Sequence, residues 1–215
     1  MILIFLGPPG AGKGTQAKII EQRFGHRQIS TGDLLRANRE QKTPLGLEAQ
    51  GYMDRGELVP DDLIIRMMEA ELANAHNVIV DGFPRTVAQA EAFDALLAAK
   101  GLDAQAILFD VDPSALMERL TGRWTNPRTG RVYHEKFNPP KVAGIDDEDG
   151  GELIQRPDDK EETIKKRFAE YEQKTAPLVA FYQRKGNLVT VDALTDITSV
   201  TNAIVNACPG LRGAA

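Results

Sequence analysis

A single cysteine, Cys208, stands among 215 residues, so an intrachain disulfide and a cysteine-based metal cluster are both excluded. A reducing, cytoplasmic setting fits. A cationic surplus is missing as well. Lys and Arg number 26 against 31 Asp and Glu, a net charge of -5, which argues against a protein that coats nucleic acid or adheres to an acidic membrane. Any anion the chain binds must be gripped by a local cluster. Long hydrophobic runs are lacking too. The opening run, Met1 to Leu6, is too short for a membrane span or a signal-peptide core, and the first basic residue is Lys13, so no basic segment precedes it. It reads as a buried strand at the mature N-terminus. Repeats of fixed period and low-complexity tracts are absent. What remains, 42% apolar and 27% charged, is enough to bury one core with room for an insertion.

Short apolar runs recur at Ile2 to Leu6, Val78 to Val80, Ala106 to Phe109 and Leu188 to Val191. Strands this apolar suit a parallel sheet covered on both faces. Helical patterns separate them, at Thr15 to Phe24, Asp61 to Asn74, Val87 to Lys100, Pro113 to Thr121, Lys160 to Lys185 and Asp196 to Ala207. The alternation predicts an α/β fold.

Two stretches break the pattern. Between Ser30 and Val59 a helical pattern is interrupted by Pro44, Gly46, Gly51 and Gly56, which predicts short helices forming a subdomain. Between Gly122 and Asp159 only nine of 38 residues are apolar, while glycine and proline supply another nine. A structureless loop of that length is uncommon in a compact domain, so the segment reads as a small β-rich excursion able to move on the main body. Asp158 and Asp159, followed by Glu161 and Glu162, supply capping-box chemistry for the long helix that resumes the core.

The strongest motif is Gly7-Pro8-Pro9-Gly10-Ala11-Gly12-Lys13-Gly14-Thr15, which follows the first strand and opens a helix. Phosphate binding asks for glycines that let backbone N–H groups turn inward, a helix N-terminus whose dipole favours negative charge, and a lysine for the outer phosphates. All are present. Gly14 rather than Ser or Thr follows the lysine, so magnesium would be held mainly by phosphates and water. Asp81 ends the Val78 to Val80 strand and would sit at the carboxyl edge of the sheet beside this loop, where a carboxylate can organise Mg2+ and its waters. The arginines form a second signal. Arg119 and Arg123, four apart, read as one face of a helix end, Arg156 and Arg167 bracket the return from the insertion, and Arg36 and Arg85 lie in or beside the earlier excursion. Phosphoryl transfer between two nucleotides gathers many negative oxygens, and an acidic protein must meet them with local cations.

The phosphate loop with Gly14-Thr15-Gln16, Ser30-Thr31-Gly32-Asp33, Asp81-Gly82-Phe83-Pro84-Arg85 followed by Gln89, and Gly130-Arg131-Val132-Tyr133-His134 through Phe137-Asn138-Pro139-Pro140-Lys141 together resemble the bacterial adenylate kinases with a long lid. The resemblance runs from Met1 to about Ala207. It implies the parallel-sheet phosphate-loop fold of nucleoside monophosphate kinases. A core would comprise 1–29, 60–121 and 160–215, a helical AMP-binding insertion 30–59, and a small β-rich lid 122–159. It also implies reversible, direct in-line transfer from magnesium ATP to AMP, giving two ADP, by a monomer with no nucleic-acid or membrane partner.

Carried over position by position, the resemblance implies that Gly10, Ala11, Gly12, Lys13, Gly14 and Thr15 hold the donor phosphates. Arg123, Val132 and Tyr133 would hold the donor from the lid, the last two by backbone and stacking contacts with adenine, and Thr195 would read its base through a backbone carbonyl. Thr31, Arg36, Glu57, Leu58, Val59, Gly82, Phe83, Pro84, Arg85 and Gln89 match the AMP pocket. Arg119, Arg156 and Arg167 match a clamp on the phosphoryl in flight. Lys13, Arg85, Arg119, Arg123, Arg156 and Arg167 would form the catalytic set. Many relatives staple the lid with zinc through four cysteines; here Asn126, Thr129, Asp146 and Asp149 stand in those places, a poor zinc set. A polar network, with no structural zinc, is the expectation, and His134 reads as part of it or as exposed. Two other readings stay open at this point: a relative with another acceptor, such as a uridylate-cytidylate kinase, and a nucleotide-dependent switch without an acceptor. Thr31 and Gln89 weigh against the first, the number of arginines against the second.

Overall fold

The computed structural model describes residues 1–72 and 77–213. Among these, five strands form one parallel sheet: β1 (Ile2–Leu6), β2 (Arg27–Ser30), β3 (Val78–Asp81), β4 (Ala104–Asp110) and, counted last along the chain, β7 (Leu188–Asp192), in the spatial order β2-β3-β1-β4-β7. The alternation of side chains along β1 divides the interior. Ile2, Ile4 and Leu6 join a core with Val78, Val80, Phe83, Phe93 and Tyr182, while Leu3 and Phe5 join a second core with Ile79, Ile107 and Phe109. Both faces of the strand are therefore dry, as a near-continuous apolar run requires.

Helices α1 (Lys13–Phe24), α6 (Pro113–Thr121) and α9 (Ile197–Ala207) cover the face that holds Phe5, and α4 (Asp61–Glu71), α5 (Val87–Ala99) and α8 (Pro177–Arg184) cover the other. β1 and α6 match their expected ranges, and β3, β4 and β7 each extend slightly beyond theirs. The expected end of the second core helix at Asn74 lies outside the described residues, as do Ala214 and Ala215 of the tail. Before them Leu211 is buried in a 3₁₀ turn, Pro209–Gly213.

Between β2 and α4 the chain forms α2 (Thr31–Glu40) and α3 (Pro44–Arg55). Two of the four expected interruptions are instead boundaries: Pro44 opens α3, where its missing N–H costs nothing, and Gly56 closes it at φ 74°. Gly46 lies inside the helix for a packing reason. A Cβ there would stand 2.2 Å from the Asn38 carbonyl carbon and oxygen, so α3 rests on the backbone of α2. Backbone cannot rotate aside, and Gly46→Ala is expected to lower stability by about 1–3 kcal/mol, the usual range for overpacking. Unaltered thermal unfolding of that variant would mean the two helices do not approach so closely.

The segment after α6 contains β5 (Arg123–Thr125) and β6 (Val132–His134), paired antiparallel, with isolated bridges joining Thr125 to Ile154 and Ile145 to Glu152. The chain returns through a 3₁₀ turn, Pro157–Asp159, into α7 (Glu161–Glu170), a π-helical turn (Tyr171–Thr175) and α8. The long helix expected from Lys160 to Lys185 is thus present as consecutive segments and changes its winding midway. Its expected acidic cap is also different: Lys160 occupies the N-cap and gives no side-chain cap bond. Asp158 and Asp159 turn toward arginines instead.

Candidate active site

β1 delivers the chain to the carboxyl edge of the sheet, where Gly12 takes φ 92° as the N-cap of α1. An L side chain resists that conformation, so glycine is required for the loop to turn into the helix here. The helix makes its first internal bond from the Gln16 amide to the Gly12 carbonyl at 3.1 Å. The amides of Lys13, Gly14 and Thr15 thus belong to the orphan set at a helix start, with the positive end of the dipole behind them. Lys13 Nζ donates to the Gly7 and Pro8 carbonyls at 2.7 and 2.8 Å, bracing the loop across its own mouth.

This loop opens on a cleft of about 690 Å³ whose walls include Lys13, Arg36, Arg85, Arg119, Arg123, Arg156 and Arg167. Several of these cations are held there at an electrostatic cost, whereas Asp33 outweighs burial at Arg36 and raises it. Burial lowers the Lys13 ammonium to about 8, and three neighbouring arginines add to that against the opposing pull of Asp81. Burial likewise brings Arg85 down to about 10, with Arg167 the next cause, and Arg156 to about 9, with Arg123 the next. A cavity that pushes cations toward neutrality favours a polyanion, whose arrival reverses each of these shifts.

The carboxylates arrange the cations. Arg123 forms two bonds to Asp159, one of them Nε to Oδ2 at 2.8 Å, and Arg167 reaches Asp158 at 2.9 Å and Asp159 at 3.3 Å. Burial raises the Asp158 carboxyl, but Arg167, Arg36, Arg123 and Arg156 hold it at about 2. Arg123 begins β5 rather than ending α6, so the expected helical face shared with Arg119 does not exist; a turn at Gly122 separates them. Both nevertheless line the cleft. Arg119 donates to the Ala193 carbonyl at 2.9 Å, Arg156 to the Thr125 hydroxyl at 3.0 Å, and Arg36 to Asp33 at 2.5 Å. Asp81 ends β3 as expected, and burial raises its carboxyl while Lys13 opposes.

Gly10, Ala11, Gly12, Gly14, Thr15, Leu58, Gly82, Pro84, Val132, Tyr133 and Thr195 also line the cleft. Thr31, Glu57, Val59, Phe83 and Gln89 stand behind or beside it. Thr31 Oγ1 donates to the Gly82 carbonyl at 2.8 Å, and Gln89 Oε1 accepts from the Arg85 amide at 2.7 Å while its Nε2 donates to Asp61 at 2.6 Å, so both tie down the Gly82–Arg85 loop. Val59 and Phe83 are core residues, and Glu57 is exposed and paired with Arg55.

Asn126 Nδ2 donates to Asp146 at 2.8 Å and to Asp149 at 2.9 Å, and its Oδ1 accepts from the Arg128 amide at 2.9 Å. Arg131 and the Tyr133 hydroxyl donate to Asp146 at 2.6 and 3.0 Å, while the Thr129 hydroxyl accepts from the Arg131 amide. The four positions thus form a closed polar network, with Asp146 completely buried in it. Burial raises Asp146, yet the Glu148 amide, Asn126, Arg131 and Tyr133 hold it at about 2. His134 is neither in this network nor exposed. Its ring is buried, with Nε2 3.1 Å from the Glu118 carbonyl of α6 and Nδ1 accepting from the Lys136 and Phe137 amides, so it fastens the β-rich segment to the core.

Phe137 and the pair Asp158 and Asp159 join the site in roles the sequence does not show: Phe137 stands in the cleft wall, and the aspartates, read there as helix caps, hold Arg123 and Arg167. Phe137 is half exposed in the cleft wall, with the Arg119 guanidinium 6.0 Å from its ring centre. No helix among the described residues is long and apolar enough to cross a membrane.

A glycine loop and helix start at the edge of a parallel sheet, facing recessed guanidinium groups across one cavity, define the phosphate-loop phosphotransferase class. A family model described as Adenylate kinase matches residues 5–187. The chain is 50% identical over 211 residues to an adenylate kinase of Citrifermentans bemidjiense, covering 96% of this chain and 99% of that one. It is 48% identical over 211 residues to one from Carboxydothermus hydrogenoformans, with the same coverage, and 46% identical over 217 residues to one from Geobacter sulfurreducens, covering 99% and 100%. The chain belongs to the adenylate kinase family. It is a nucleoside monophosphate kinase, and its reaction is phosphoryl transfer from ATP to AMP.

Proposed function

We propose that ATP and AMP lie end to end in the cleft and react directly, with no covalent enzyme intermediate. The observation that carries this reading is the gathering of Lys13, Arg36, Arg85, Arg119, Arg123, Arg156 and Arg167 around one cavity, where burial drives Lys13, Arg85 and Arg156 toward their neutral forms. Donor phosphates rest on the amides from Gly10 to Thr15 and on Lys13. Val132, Tyr133, Phe137 and Thr195 border the donor base. The acceptor lies along Thr31, Arg36, Glu57 to Val59, Gly82 to Arg85 and Gln89, and Arg119, Arg123, Arg156 and Arg167 close on the transferred group. Charge stabilisation and alignment supply most of the acceleration in such transfers.

The donor set fits Mg2+. Asp81 presents a buried oxygen ligand whose Oδ2 accepts from Gln28 Nε2 at 3.2 Å, and Gly14 adds no side chain on its own side of that oxygen, which suits a hydrated hard cation. When bound, the ion would spread charge from the phosphates. Asp81 would hold its water shell and Lys13 would hold phosphate oxygen beside it.

Residues 30–59 serve as the acceptor-binding part and 122–159 as the lid, moving on a core of 1–29, 60–121 and 160–215. Closure excludes water, which competes with AMP for the phosphoryl group. The low apolar content of the lid suits a segment that opens readily. A monomer suffices, because one chain supplies every group named here. The test is to mix magnesium ATP with each nucleoside monophosphate and follow diphosphate formation. AMP is expected to react fastest, and a clear preference for UMP or CMP would discard the acceptor assignments.

A further inference from the structure

The change of winding after α7 places a side chain where a uniform helix would not. At 100° per residue, position 175 of a regular α-helix would stand about 80° round the axis from position 167. The turn Tyr171–Thr175 closes with the Ala176 amide on the Tyr171 carbonyl at 2.8 Å, an i to i+5 bond that absorbs one extra residue. That reduces the offset to about 20°, and Arg167, Glu170, Tyr171 and Thr175 all line the cleft. There Thr175 Oγ1 donates to the Arg85 carbonyl at 2.8 Å. The same residue is held at its amide by Gln89 and at its Nε by the Gly82 carbonyl, at 2.7 Å each, so among the described residues the hydroxyl is the hydrogen bond joining Arg85 to the helix that carries Arg167.

We infer that Thr175 is a positioning residue for the acceptor phosphate, its hydroxyl locking the Arg85 backbone in register with Arg167 so that two mutually repelling guanidinium groups address one anion. This rests on the reading of Arg85 and Arg167 as acceptor-side cations. The need for a lock is physical. The repulsion between the two charges acts to separate the Gly82–Arg85 loop from the helix, and among the described residues Asp81 and Asp158 oppose it through space, with no carboxylate hydrogen-bonded to Arg85. A hydroxyl on the backbone holds the spacing without neutralising either charge.

The test compares Thr175→Val, which keeps the shape and removes the donor, with Thr175→Ser, which keeps the donor, and with Arg85→Lys. Thr175→Val is expected to raise the KM for AMP about tenfold while the KM for ATP stays within twofold, and Thr175→Ser is expected to restore the wild-type value. A purely structural role would lower the melting temperature and leave both KM values alone, which would overturn the inference. If Arg85→Lys binds AMP normally, the reading of Arg85 itself fails and the inference with it; if Arg85→Lys binds AMP poorly and Thr175→Val binds it normally, only the inference fails. A crystal structure of the wild-type protein with AMP bound gives a readout independent of whether variants fold. Thr175 Oγ1 within 3.2 Å of the Arg85 carbonyl supports the lock, and a separation beyond 3.5 Å overturns it.

Discussion

Lys13→Met is expected to lower turnover roughly a thousandfold, the scale on which loss of a transition-state charge partner acts in phosphoryl transfer. The fold should survive. The ammonium lies in a cleft that brings it down to about 8, so the free protein holds this charge at a cost below that pH and the variant escapes it. By linkage, a lysine whose folded value lies below its ordinary one makes stability rise with pH between about 8 and the ordinary lysine range, and the full penalty is present below 8. Near pH 7 the variant escapes this penalty but loses the bonds to the Gly7 and Pro8 carbonyls, so its melting temperature is expected to stay close to the wild-type value. The same shift predicts proton uptake on ATP binding above pH 8, as phosphate restores the charged form. Calorimetry in two buffers of different ionisation enthalpy measures that uptake. Normal turnover in folded Lys13→Met would remove the residue from the catalytic set.

Arg123→Met is expected to combine a similar loss of turnover, roughly a thousandfold, with a loss of stability. Arg123 and Asp159 are a buried pair, with side chains 13% and 2% exposed. Removing one member of such a pair costs about 3–5 kcal/mol, because the other charge remains buried with less support. Asp159 would keep only the longer contact from Arg167. Adding Asp159→Asn to Arg123→Met removes the stranded charge and is expected to recover most of the stability and none of the turnover. If both quantities recover together, Arg123 acts through structure alone. Denaturant unfolding and steady-state rates on the four proteins of the cycle decide it.

The core strands and the phosphate loop were legible because one physical demand dominates each: burial on two faces for Ile2 to Leu6, and a glycine-rich turn into a helix for Gly7 to Thr15. β2 was not legible. Only Ile29 of its four residues is buried, since it is an edge strand that pairs with β3 alone, and so it carries no apolar run. Arg123 reads as helical in the sequence because four-residue spacing mimics a helical face, whereas α6 ends at Thr121. Asp158 and Asp159 satisfy a capping pattern in sequence, but the arginines folded around them offer a stronger interaction than a helix terminus does. The π-turn leaves no signature in periodicity, because one absorbed residue shifts the phase of the pattern without breaking it.

The fastening of the β-rich segment has a chemical consequence. Asp146, Asp149, Asn126 and Arg131 make a clasp without a thiolate, so oxidants find no sulfur to attack in it. Its vulnerable condition is strong acid. The contribution of Asp146 is complete above the normal range for a free aspartate and fades as the medium approaches pH 2, when its carboxyl gains a proton and the guanidinium of Arg131 is left facing a neutral neighbour.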